Sequence, residues 1–336
     1  MNDDVIDQHS PGTGRKVTRL FTPEERSRLT QRSDLRGGWA VLSTWGVIVA
    51  SLAVVGWSWH QAWYLAVPVT LIGLALVGGR QLALAILTHE ATHRTLFRTR
   101  WLNETPMDWL CGRPIGLDLK KYRQHHFVHH TRTGTDADTD ITLVQGLPTT
   151  RRSMARKFLR DLSAQTGLKY LFGLALMNAG LLKWTVAADV EWLPRNGRRW
   201  YHYAATFVRN ATPTILTHLV LFAALAAAGH GELYLVWLLA YLIPYPLFLR
   251  VRSMAEHAVT ANSTDMFENT RTTRAGPIAR MLVAPIRVNY HIEHHVMPSV
   301  PYYRLPLMHR LLREKGVVGE PPGYRQVLDL VSSAPA

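Results

Sequence analysis

Among its 336 residues the chain has a single cysteine, Cys111. That excludes an internal disulfide and any cysteine-rich zinc or iron–sulfur site. Acidic residues are also scarce: 24 Asp and Glu stand against 38 Lys and Arg, for a formal net charge of +14. Such an excess raises nucleic acid or an anionic membrane as a partner. The sequence has neither a C-x-x-C…H-x-x-x-H finger nor a basic region leading into heptads, so no nucleic acid is expected. Residues 1–38 lack an apolar run and carry seven Lys or Arg. They read as a polar cytoplasmic tail instead of a cleaved signal peptide, with a short helix opening at Thr22-Pro23-Glu24-Glu25.

Charge is missing altogether from four long apolar stretches. No residue from Gly37 to Trp59 is charged, and none from Gln61 to Gly79. The second run continues past Arg80 through Leu82 to Leu87 and on to His89-Glu90-Ala91-Thr92-His93. The third and fourth runs, Ala211–Gly231 and Leu233–Leu249, meet at the tight turn Gly229–Glu232. About twenty residues at ~1.5 Å each cross the ~30 Å hydrocarbon core. The expected fold is therefore all-α and integral to a membrane, with spans at about 39–59, 62–87, 211–229 and 233–250. These form two hairpins in a domain covering residues 39–315, with 316–336 as a C-terminal tail. Pro244 and Pro246 predict a kink in the fourth span. Residues 168–188, interrupted by Lys169, Asn178 and Lys183, read as an interfacial helix, with a fifth span as the alternative.

The basic residues orient these spans. Seven precede the first span, nineteen lie between Arg94 and Arg209, eleven follow from Arg250, and the turns 58–60 and 229–232 have none. Basic segments face the cytoplasm, which puts both termini, the middle segment and a helical cap there. Trp39, Trp57, Trp59 and Trp63 fall at span ends, as an aromatic belt requires.

Histidine is concentrated where the spans leave the membrane on that side. Tyr122–His130 holds four of the sixteen histidines. In a helix, His126 shares a face with His129 and His130, and His125 with His129. His89 and His93 are four apart, and His291, His294 and His295 repeat the three-and-four spacing. His257 follows the fourth span. Neutral imidazole suits iron, zinc and copper, and nine imidazoles are too many for one ion and suit two. Glu90, Glu256 and Glu293 adjoin histidines, while Asp136, Asp138 and Asp140 follow the middle cluster. Such acids are expected to accept the second ring N–H of a ligating imidazole more than to ligate directly. Asn289 is carried with them. His9, His60, His202, His218, His230 and His309 lack such company and read as ordinary residues.

The segments His89–His93, His126–His130 and His291–His295, with the flank Val296–Pro301 and Arg304-Leu305-Pro306, resemble the three-histidine-box fatty acid desaturases. That superfamily also contains hydroxylases, ketolases and acetylenases. The resemblance runs from about Trp39 to Arg313. It implies a four-span fold with a cytoplasmic cap carrying the boxes, a non-haem centre of two iron ions, O2 as co-substrate, and a fatty acyl or other lipid substrate. Carried over by position, the ligands are His89, His93, His126, His129, His130, His257, His291, His294 and His295. His125 falls outside the spacing and is an additional candidate. One cysteine cannot hold a cluster, so electrons are expected from a separate protein, a ferredoxin or a b-type cytochrome with its reductase. Removing hydrogen from two adjacent carbons gives a double bond, and oxygen transfer after one removal gives an alcohol. The box flanks favour the desaturase.

Two other readings use fewer of these residues. His89-Glu90-Ala91-Thr92-His93 fits the H-E-x-x-H motif of a zinc protease, with Glu90 as general base. A metal transporter would instead place polar ligands near the bilayer midplane, where only His218 falls.

Overall fold

The structure, a computed structural model, describes residues 19–187 and 189–335. Every regular element among them is helical, and pairing between extended segments is confined to isolated bridges such as Leu182–Trp192. Four helices are long and apolar enough to cross a membrane.

The first, α2, runs over Asp34–Ser58, after a short α1 at Pro23–Thr30. Helix α3 spans Trp63–Thr92; its 30 residues give a length of about 45 Å at ~1.5 Å each. Its first half exposes Tyr64, Val67, Leu71 and Ile72, whereas everything from Val77 through Leu84 is buried. Arg80, the one charge in the apolar run, is accommodated because its guanidinium donates to the carbonyls of Arg280 and Met281. Close packing comes from small residues. A Cβ on Gly78 would sit 2.7 Å from Pro244 Cγ, and one on Gly79 would sit 2.6 Å from the Met281 carbonyl.

After α3, a string of short turns leads to α4, Leu119–Arg132. Asp118 caps it, accepting from the amides of Lys120 and Lys121 at 3.1 Å each. Helices α5 (Arg151–Leu162) and α6 (Gln165–Asn178) follow. The expected interfacial helix over 168–188 is shorter and begins earlier: α6 stops at Asn178, and Gly180 turns the chain with φ +71°. Residues 180–187 are not helical, and Ala188 lies outside the described residues.

Helix α7, Trp200–Ala227, starts well before the expected 211 because Trp200–Asn210 extends it with residues compatible with helix. The fourth apolar stretch breaks into α8, Leu233–Leu242, and α9, Pro244–His257. Pro244 has no N–H to donate, and Ile243 takes φ −111°, ψ −75° at the joint. Beyond the joint α9 continues past the expected 250 to His257, so the helix that carries the end of the apolar stretch also carries that histidine. Trp237 of α8 stacks on Trp45 of α2 at 5.9 Å and an interplanar angle of 2°.

The two segments read as tails are packed where they are described. Helix α1 opens at Thr22 with a full capping box: Thr22 Oγ1 accepts from the Glu25 amide at 3.2 Å, and Glu25 Oε2 accepts from the Thr22 amide at 2.8 Å. Phe21 and Leu29 are buried in a cluster with Met266, Val300, Met308 and Leu312. The last two belong to α11, Leu305–Glu314, which follows the six-residue α10, His291–Val296. At the C-terminus α12, Tyr324–Val331, buries Val327 and Val331 against Met154, Met254 and Ala258. Their spacing of four gives α12 an apolar face, which explains why it docks. Residues 1–18, most of the expected N-terminal tail, lie outside the described residues.

Candidate metal centre

Four elements deliver histidines to one buried place. Helix α3 carries His89 and His93 in its last turn and at its C-cap, α4 carries His126, His129 and His130, α9 ends on His257, and α10 carries His291, His294 and His295. Arg123 fixes the first two boxes to each other. Its guanidinium caps the end of α3, donating to the carbonyls of Thr92 at 3.0 Å and Ala91 at 3.3 Å, and pairs with Glu104 at 2.9 Å. Thr272 Oγ1 accepts from the Ile292 amide at 3.2 Å and donates to Glu293 Oε2 at 2.6 Å, which seats α10.

The nine imidazoles sort into two groups. His89, His93, His126, His130 and His294 form one, and His129, His257, His291 and His295 the other, with the nitrogens of each group within 4.8 Å of one another. In the first, Nε2 atoms follow in a chain: His93 to His126 at 2.9 Å, His126 to His130 at 3.0 Å, His130 to His294 at 3.1 Å. In the second, His257 to His291 is 2.7 Å and His291 to His295 is 3.1 Å.

These distances test whether a metal fits. A neutral ring nitrogen carries either one hydrogen or one lone pair, so protons alone cannot satisfy a chain of converging nitrogens. Both ring nitrogens of His89 are buried without a hydrogen-bond partner. A cation inside each group would satisfy the converging nitrogens, one from each ring. With metal–nitrogen bonds of about 2.1 Å, neighbours at a right angle lie about 3.0 Å apart and tetrahedral neighbours about 3.4 Å. The separations of 2.9–3.1 Å in the first group and 2.7–3.1 Å in the second bring the nitrogens close enough for each group to hold one ion. The donor set agrees, since imidazole suits iron, zinc, copper and nickel.

Burial also sets the protonation state that a metal needs. It lowers His126, His130, His291, His294 and His295 well below the ordinary imidazole value and His93 to about 3, leaving them neutral. His129 is the exception. Burial would lower it, but the carboxylates of Asp140 and Asp138 outweigh that and raise it. The Asp138 carboxylate lies 2.7 Å from His129 Nδ1, which leaves Nε2, made more basic by that contact, as the nitrogen that would ligate.

The remaining expected residues take different places. His125 lies outside both groups, with Nε2 2.7 Å from Asp140 Oδ1. Burial would raise Asp140, yet His129 and His125 hold it down to about 2. Asp136 is exposed and has no imidazole partner among the described residues. Glu256 pairs with Arg252 at 2.8 Å and places its other oxygen 3.6 Å from His291 Nε2. Glu90 turns to the Tyr302 amide at 3.1 Å and Thr95 Oγ1 at 3.2 Å. That is not the posture of a protease base, and the five imidazoles of the group that includes His89 and His93 exceed the three protein ligands of a catalytic zinc. Asn289 spends its amide on the Thr273 carbonyl at 2.8 Å, with Oδ1 buried and unpartnered.

Three contributors escape sequence reasoning. His309, which reads as ordinary, places Nδ1 2.7 Å from Glu293 Oε1 and so links α11 to α10. Thr272 carries no local signal at all. Arg252 does, since it stands four residues before Glu256 on the same helix.

Next to the centre lies a cavity of about 570 Å³, lined by Leu117, Leu174, Met177, Trp184, Tyr241 and Tyr245 among others. Trp184 stands edge-on to Tyr122 and His125, and Tyr122 stacks on His126 at 5.4 Å. Two aromatic rings therefore separate this cavity from the first histidine group.

Among proteins of known activity, the chain is similar to dihydrorhizobitoxine desaturase of Bradyrhizobium elkanii, with 23% identity over 269 residues, 76% of this chain and 69% of the relative. The fatty acid desaturase family matches residues 62–325, a stretch that contains all three histidine boxes and His257. The chain thus belongs to the fatty acid desaturase family.

Proposed function

We propose that the protein is a membrane-embedded, O2-dependent desaturase of a fatty acyl or similar lipid chain, working at two iron ions. The observation that carries this reading is the convergence of nine buried imidazoles into a group of five and a group of four. His89, His93, His126, His130 and His294 would hold one ion, and His129, His257, His291 and His295 the other. Redox-active iron supplies the oxidising power that an unactivated C–H bond demands, which zinc lacks.

The protein's own residues do the rest. Neutral imidazoles present lone pairs without a proton to displace, except at His129, where Asp138 and Asp140 favour the proton and its loss must accompany binding. The apolar cavity beside Tyr122 and Trp184 shields an acyl chain from water and holds it near the histidines. Lys157, Arg160 and Lys169 line its edge and suit an anionic end group. Desaturation removes two hydrogens from adjacent carbons and consumes one O2, two electrons and two protons, yielding two waters. The electrons come from a separate ferredoxin or b-type cytochrome, drawn to the basic face. Four helices cross the membrane, and both termini and the histidines face the cytoplasm, in keeping with the distribution of Lys and Arg.

Desaturation is chosen over hydroxylation on the strength of the family and of the relative's printed activity. Expression in a host without the enzyme, followed by mass spectrometry of total lipids and free amphiphiles, tests the choice. A new double bond that disappears with His294→Ala supports it. A hydroxylated product contradicts the reaction while leaving the metal centre standing.

A further inference from the structure

A second cavity, of about 370 Å³, lies apart from the histidines and beside the N-terminus of α2. Four guanidinium groups line it: Arg32, Arg36, Arg98 and Arg304. The carboxylate on its wall, Asp34, accepts from the Thr99 amide at 2.9 Å and Thr99 Oγ1 at 2.8 Å and also feels the charge of Arg98, so one carboxylate stands against four guanidinium groups. Among the described residues none of the four arginines forms an ion pair. Arg32 Nε and Arg304 Nε are buried without a hydrogen-bond partner. The remaining contacts hold the rings and forks in place: Arg304 donates to Gln31 Oε1 at 2.6 Å, and Arg36 lies 4.8 Å over the ring of Tyr303.

Four like charges around one cavity repel one another, and a buried donor without an acceptor costs about 1–3 kcal/mol. An anion removes both penalties. The N-terminus of α2 adds the positive end of a 25-residue helix dipole to the same place. Guanidinium forks match the oxygens of a phosphate two at a time. The surroundings say which phosphate. Leu35, Trp39 and Leu42, at i, i+4 and i+7, form a stripe down α2 from the cavity and are 84%, 70% and 70% exposed. An apolar stripe leading from an anion site along a membrane helix is the outline of a lipid, not of a free ion.

We propose that this cavity binds the phosphate headgroup of an anionic phospholipid, whose acyl chains lie along Leu35, Trp39 and Leu42. The inference rests on α2 crossing a membrane and not on the reaction at the histidines.

Calorimetric titration of the full-length protein in a neutral detergent tests it. The probes are short-chain phosphatidic acid, short-chain phosphatidylcholine and inorganic phosphate. Phosphatidic acid should saturate a single site and bind about tenfold or more tightly than the other two. The double variant Arg32→Gln/Arg304→Gln should weaken it by at least a similar factor, about tenfold, and Arg36→Gln/Arg98→Gln, whose side chains are exposed, should do the same, with retained melting temperature as the check on folding. Arg325→Gln, on the exposed face of α12, should change nothing. Equal affinity for inorganic phosphate would overturn the lipid assignment, and wild-type affinity in both double variants would overturn the site.

Discussion

At the scale of single residues, the centre depends on groups that never touch a metal. Asp138 accepts from His129 Nδ1 at 2.7 Å and is the one carboxylate in that contact within hydrogen-bond distance. Asp138→Ala should weaken metal binding at the second group by about 10–100-fold, measured by competition with a chromophoric chelator, while the first group keeps its affinity. His93 gives the metal-free protein a pH dependence. Its folded value is about 3 against an ordinary ~6.5, so between those limits the unfolded chain takes up a proton that the folded one refuses. The His93 contribution to the thermal stability of the metal-free protein should be fully present above about pH 6.5 and be lost as the pH drops toward about 5. A net rise in stability between about pH 6.5 and 5 would contradict burial as the controlling effect on the lowered histidines. The box histidines were legible because a spacing of three or four puts side chains on one helix face. Glu293 was legible only as a neighbour. That its partner is His309 follows from α11 folding back over α10, a contact between residues 16 apart that no local pattern announces.

Among elements, α3 organises the molecule. It pairs with α2, buries its second half, receives the α8–α9 joint on Gly78 and ends on the first box. Gly79→Val forces the Met281–Leu282 backbone away and disturbs the acceptors of Arg80. Overpacking of this kind costs about 1–3 kcal/mol, and the melting temperature in detergent should drop accordingly. Gly38→Ala, where an added Cβ meets nothing within 4 Å, should leave it unchanged. The four apolar stretches were evident from scarce charge, because a charged side chain within the hydrocarbon core is costly and rare. Their ends were less evident. Helix α7 runs on past its apolar part, since polar residues lengthen a helix without raising its hydropathy. Helix α6 stops early at Gly180, which a composition window over 168–188 averages away. The packed segments around Leu29 and Val327 were missed because each offers only two or three apolar residues, and their partners are distant in sequence.

For the whole molecule, the central claims are one orientation and one centre. If every basic segment faces the same side, Gln61→Cys in the uncharged turn and Arg325→Cys on α12 should react with an impermeant thiol reagent from opposite sides of sealed vesicles. Cys111 is buried and should stay silent. Labelling of both from one side would contradict the orientation. The measurement that bears most directly on the centre is the metal content of the purified protein, with His294→Ala and His295→Ala beside it. The two groups predict about two iron ions per chain, and the loss of iron from a different group in each variant, with His294→Ala emptying the group of five and His295→Ala the group of four. One zinc ion per chain, unaffected by either substitution, would contradict the two-iron centre.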